Sequence, residues 1–222
     1  MSRRSWAILQ HVEWEGPGLI AEELAARGRG YRVYRQDRDD GLPDADHFVG
    51  LVVMGGPMGV NDGAQHPHLD QERELMRAAV ARGLPVLGVC LGAQLLAAAL
   101  GAAVTTGAEA EVGEGEVTLT EEGQRDPVLG GAGAHLPVVH WHQDTFQLPP
   151  NAVWLASSGK FPHQAFRSGD TAYGLQFHCE MNAGLTEAWR PRLPAGIELR
   201  DAHLAQVAGH GRRIIGKFLD LA

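Results

Sequence analysis

The sequence predicts an α/β fold: one domain spanning residues 1–222, with a central, mostly parallel sheet flanked by helices and short antiparallel strands added in its second half. Three observations carry that expectation. Strand-like and helix-like stretches alternate through the first hundred residues in the order β-α-β-β-α-β-α, which implies parallel strands joined by right-handed crossovers. The run over residues 48–54 is almost continuously apolar, as suits a strand buried on both faces. After Gly101 the texture changes to short strand-like runs punctuated by Gly, Pro, Asp and Asn.

Taken in order, residues 7–12 read as a first strand, broken by Gly16-Pro17-Gly18. Residues 19–27 are rich in Ala, Leu and Glu and read as a helix stopped by Gly28 and Gly30. Residues 31–35 alternate like a strand. Leu42-Pro43-Asp44 turns the chain into the buried run at 48–54, which ends in Gly55-Gly56-Pro57-Met58-Gly59. Over 68–82, Leu69, Leu75, Met76, Ala79 and Val80 recur at helical spacing up to Gly83. Residues 86–89 form a strand that leads at once into a helix. The later strands are expected at 117–120, 136–141, 153–156, 165–167 and 172–177, and a closing helix at 199–221. The acidic stretch 109–126 reads as a solvated loop or edge.

The formal charge of −8 disfavours nucleic acid and anionic membrane as partners. No run is long enough to span a bilayer, and the basic start, Met1 to Trp6, lacks the apolar stretch of a signal peptide. Two cysteines, Cys90 and Cys179, permit one disulfide by count, yet nothing suggests an exported, stapled domain. The expected compartment is the cytoplasm.

Chemistry concentrates at Gly88-Val89-Cys90-Leu91-Gly92. This is a nucleophile elbow with cysteine in the nucleophile position, a sharp strand-to-helix turn whose flanking glycines relieve crowding. At the start of a helix, the dipole and free N–H groups favour the thiolate. A base is offered by Gln176-Phe177-His178-Cys179-Glu180, where Glu180 can reach back to the His178 ring. Backbone N–H groups of the loop at residues 55–59 can face a developing oxyanion. That loop lacks the Lys-Ser/Thr of a phosphate-binding loop.

Together these motifs resemble the class I (triad) glutamine amidotransferases over nearly the whole chain. His140-Trp141-His142-Gln143-Asp144-Thr145-Phe146 is similar to a further segment of those related to the glutaminase part of GMP synthase. The resemblance implies a flavodoxin-like three-layer domain that hydrolyses glutamine to glutamate and ammonia. Cys90 would form a γ-glutamyl thioester, His178 would move the protons and Glu180 would hold the ring. The N–H groups of Leu91 and of Gly56 or Met58 would form the oxyanion hole. Gln94 and the backbone at Gln143 and Asp144 would grip the amino-acid end of the substrate. No cofactor and no metal are expected, and His140 and His142 are assigned to structure or to the substrate loop.

Three positions depart from the family pattern. Cys179 stands where proline is usual, Ala93 where a larger residue is common, and Gln143 where glycine is frequent. The resemblance leaves open a separate synthetase subunit as ammonia acceptor, and a homodimer. Two other readings share the fold: a free-standing hydrolase of another γ-glutamyl compound, and a non-catalytic regulatory or redox-sensing module. Trp14 and Trp189 are candidates for a partner surface.

Overall fold

The computed structural model describes residues 5–131 and 133–222, so the first four residues of the basic start lie outside the described residues, while Ser5 and Trp6 open β1. In chain order the strands and α-helices are β1 (Ser5–Gln10), α1 (Gly18–Ala26), β2 (Tyr31–Arg35), β3 (Phe48–Val53), α2 (His68–Ala81), β4 (Val86–Val89), α3 (Leu91–Ala99), β5 (Val104–Leu119), α4 (Glu121–Arg125), β6 (His135–Phe146), β7 (Val153–Ser157), β8 (Ala165–Ser168), β9 (Ala172–Leu175), α5 (Ala183–Trp189) and α6 (Asp201–Leu219).

Among the described residues, one sheet of nine strands runs in the order β2-β1-β3-β4-β9-β8-β7-β5-β6. The first five are mutually parallel, and the pairs from β9 onward to β6 are antiparallel. The expected mostly parallel centre with antiparallel additions is therefore present. Leu19, Ile20 and Leu24 of α1 pack with Ile214, Ile215 and Phe218 of α6 on one face of the sheet. Leu69, Met76 and Ala79 of α2 pack with Leu95 and Leu96 of α3 on the other. These are the three layers. A smaller cluster, with Val139, Met181, Leu185 and Trp189, covers one end.

The acidic stretch corrects one expectation. It is not a solvated loop: through Leu119 it belongs to β5, second from the sheet edge, and from Glu111 to Thr118 it is paired with β6. Glutamates and glycines are poor strand formers, but pairing to β6 overrides local propensity here. Asp126, at the end of that stretch, is buried and bonded to Arg167, to the Tyr173 hydroxyl and to the Val128 and Leu129 N–H groups. The short helices α4 and α5 are capped by the side chains of Thr120 and Asn182 and were not anticipated. The two cysteines are free.

Candidate active site

The carboxyl ends of β1, β3, β4 and β9 deliver four loops to one side of the sheet, where open α/β folds place their ligands. From β4 the chain turns at Cys90, whose φ of 51° and ψ of −108° lie outside the regions that side chains ordinarily occupy. The glycines around it are needed for packing. A Cβ on Gly88 would collide with the Gly92 carbonyl, and one on Gly92 with the Val53 carbonyl of β3. The N–H groups of Ala93 and Gln94 return to the Cys90 carbonyl at 3.0 and 3.2 Å. Those of Leu91 and Gly92 precede the first intrahelical bonds, which leaves them free for a ligand.

His178 lies three residues beyond β9, tied to β6 by paired backbone bonds with Val139 of 2.8 and 3.2 Å. Its Nδ1 is 2.7 Å from Glu180 Oε1, and both side chains are buried. Its Nε2 is buried with no hydrogen-bond partner among the described residues. The Cys90 thiol donates to the Trp141 carbonyl at 3.7 Å. Burial opposes a charge on His178, but Glu180 and the neighbouring Cys90 outweigh it and hold the imidazolium well above the usual histidine range. Trp189 packs edge-on against the ring at 4.7 Å, and its indole N–H donates to the Trp14 carbonyl at 2.9 Å. Trp189 is thus a buried wall of the site rather than a partner surface, and Arg192 covers Trp14.

Glu180 is fixed from behind: its carbonyl accepts the Leu19 N–H at 2.8 Å, at the start of α1. Cys179, in the position of the family's proline, is buried, and burial pushes its thiol up, so it is poorly suited to act as a nucleophile.

A cavity of about 340 Å³ opens beside Cys90, lined by Gly56, Met58, Gln94, Trp141, Gln143 and Asp144 among others. A Cβ on Gly56 would sit 3.0 Å from His11 Cβ and 3.1 Å from Leu91 Cδ2, so this loop lies close against the start of α3. Gln94 donates to the Asp144 carbonyl at 3.1 Å and to Gln176 Oε1 at 3.2 Å. The Asp144 carbonyl also faces His142 Nδ1 at 3.0 Å, so it is already engaged. The Gln143 side chain turns away to the Gly107 carbonyl.

Two residues of the site were missed. His11, at the end of β1, places Nδ1 2.9 Å from the Gly55 carbonyl and Nε2 2.9 Å from buried Glu72. Both partners accept, so both ring nitrogens carry protons. Burial disfavours that charge, but Glu72 outweighs it and raises His11. Glu15 brings its carboxylate to Gly55, where a Cβ would clash with it and would lie 3.2 Å from His178 Cε1 and 3.4 Å from Cys90 Cβ. Burial raises the Glu15 carboxyl, with Glu180 adding to the shift and His178 and His11 opposing it. The stretch His11-Val12-Glu13-Trp14-Glu15, directly after an apolar strand, was the available signal.

A thiol at a strained turn, an imidazole oriented by a carboxylate and a glycine loop beside a helix N-terminus can carry out acyl transfer through a cysteine. The sequence profile described as "Glutamine amidotransferase class-I" matches residues 18–189, and the chain belongs to that family. It is 39% identical over 181 residues to the glutamine amidotransferase-like protein YfeJ of Salmonella typhimurium, covering 80% of this chain and 76% of that one. It is 30% identical to the glutamine-hydrolysing GMP synthase of Phenylobacterium zucineum, over 73% of this chain but 30% of that enzyme. A solved glutamine amidotransferase from Methylobacillus flagellatus superposes with a TM-score of 0.91 at 32% identity, covering 99% of this chain and 96% of that one.

Proposed function

We propose that this chain hydrolyses the side-chain amide of glutamine through a Cys90 thioester. The observation that carries the reading is the 2.7 Å His178–Glu180 contact, with Nε2 left without a hydrogen-bond partner among the described residues and Cys90 near enough to help raise the ring. The Cys90 thiolate attacks the amide carbon, and the oxyanion is met by the Leu91 N–H with that of Gly56 or Met58. The His178 imidazolium gives its proton to the departing nitrogen, so ammonia leaves and a γ-glutamyl thioester remains. Neutral His178 then takes a proton from water, whose oxygen attacks the thioester. The Cys90 thiolate departs, and glutamate is released. Glu180 holds the ring throughout. Gln94 orders the Asp144 strand segment that borders the substrate.

The similarity to GMP synthases supports passage of the ammonia to a separate synthetase. The chain spans less than a third of the Phenylobacterium enzyme.

The test is release of glutamate and ammonia from glutamine by the purified chain, with Cys90→Ala as control. Cysteine-dependent turnover supports the reading. Equal turnover by the variant overturns it. Should the chain be silent alone, glutamine-protected alkylation of Cys90 separates a site that binds glutamine from one that does not.

A further inference from the structure

Behind the strand that borders the substrate cavity, a second group of side chains converges. Glu111 of β5 pairs directly with His142 of β6, and His140 lies two residues along on the same face. Glu111 Oε2 is 3.2 Å from His142 Nε2 and 3.6 Å from His140 Nδ1, and all three atoms lie within 4.8 Å of one another. The two histidines are buried, and the Glu111 side chain is 11% exposed.

We propose that Glu111, His140 and His142 form a site for a divalent transition-metal ion, with zinc the best match. Three observations support it. First, tetrahedral zinc with bonds of about 2.0–2.1 Å holds its ligand atoms roughly 3.3–3.4 Å apart, and the two Glu111 separations bracket that spacing. Second, the atoms that meet are acceptors. His142 Nδ1 faces the Asp144 carbonyl, and donating its proton there leaves Nε2 with a lone pair aimed at a carboxylate oxygen. His140 Nδ1 is buried without a hydrogen-bond partner among the described residues. The Gln164 amide nitrogen is shared between His142 Nε2 at 3.4 Å and Glu111 Oε2 at 2.7 Å and does not serve His140 Nδ1, whereas a cation at the centre of the three ligand atoms engages them all.

Third, the surroundings are those of outer-shell support. Ser158 Oγ donates to the other Glu111 oxygen at 2.7 Å, which orients the carboxylate. Gln164 Nε2 reaches Glu111 Oε2 at 2.7 Å, while its Oε1 is buried and unpaired; turning that amide over presents a fourth oxygen. Gly115, where a Cβ would collide with the ring, makes room for His140. A cavity of about 480 Å³, lined by Glu111, His140 and Ser158, gives an entry path. The other histidine group, His11, His68 and Glu72, has no such character, because both nitrogens of His11 are already committed. Since His142 also braces the Asp144 carbonyl that Gln94 holds, a bound ion would stiffen the strand bordering the substrate.

The experiment strips the full-length protein with chelator and titrates it with zinc, then with cobalt(II), whose intense visible bands report tetrahedral ligation. The expected result is one equivalent per chain. Ser158→Ala should lose roughly 10–100-fold in affinity, as outer-shell partners do, and Glu111→Gln and His140→Ala more than that. His68→Ala should bind as the parent does. Circular dichroism checks that each variant folds. Independently of any variant, X-ray absorption of the zinc-loaded parent should show two imidazoles and no sulfur. Absence of stoichiometric uptake, thiolate ligation, or unchanged affinity in the Glu111→Gln/His140→Ala double variant would overturn the assignment.

Discussion

His178 sits between two carboxylates with different tasks. Glu180 fixes the ring through Nδ1, whereas Glu15 approaches the Cε1 edge beside Gly55. Glu180→Gln removes the oriented anion, and turnover should fall about 10²–10⁴-fold across the pH range, in line with loss of a triad carboxylate. Steady-state kinetics on glutamine check this, and an unchanged rate would move the orienting role elsewhere. Glu15→Gln should behave differently. Its charge helps hold the imidazolium, so its removal should bring the alkaline limb of the pH–rate profile down by about one unit, the low end of what a nearby opposite charge produces. KM should change little. A limb that stays in place would show that Glu15 does not act on His178.

At the level of elements, the elbow depends on two glycines that touch backbone rather than side chains. A methyl group on Gly92 would have to displace the Val53 carbonyl and press on its Cβ, and β3 is central in the sheet. Gly92→Ala should therefore cost about 1–3 kcal/mol, as overpacking does, and lower Tm by roughly 2–12 °C. Cys90 should also become slower to alkylate than in the parent, and mass spectrometry after a timed iodoacetamide pulse measures it. Elements of this kind are legible in sequence because their signal is local. Gly88 to Gly92 fall within five residues, and His178 and Glu180 within three. What escaped the sequence is non-local. Glu111 meets His140 and His142 only through the β5–β6 register, which slips between Thr106 and Glu111. The Gly- and Glu-rich run through β5 has no apolar alternation strong enough to announce a strand. It is held by its partner on β6. Trp189 looked like a surface residue because its cover, Trp141 of β6 and the Trp14 loop, is remote from it in the chain.

For the whole molecule, the buried His11–Glu72 pair links stability to the geometry of the candidate site. It joins the end of β1 to α2 and anchors the Gly55 carbonyl, and so the loop that would meet the oxyanion. His11→Ala strands a buried carboxylate, which should cost about 3–5 kcal/mol and lower Tm by roughly 6–20 °C. The pair also gives stability a pH dependence of definite sign. His11 is raised above its unfolded value, so its contribution is complete below the unfolded pKa and is lost as pH rises through the folded one. Raised His178 adds the same sign. Tm should fall on the alkaline side, and the fall should be shallower in His11→Phe/Glu72→Leu. Because apolar replacement of a buried ion pair is often neutral or stabilising, this double variant should recover much of the stability lost in His11→Ala. It should not recover turnover, because nothing then holds the Gly55 carbonyl. Thermal melts and glutaminase assays on the same preparations separate the two effects. Turnover restored along with stability would mean that the loop needs only a well-packed support and not the imidazole's hydrogen bond.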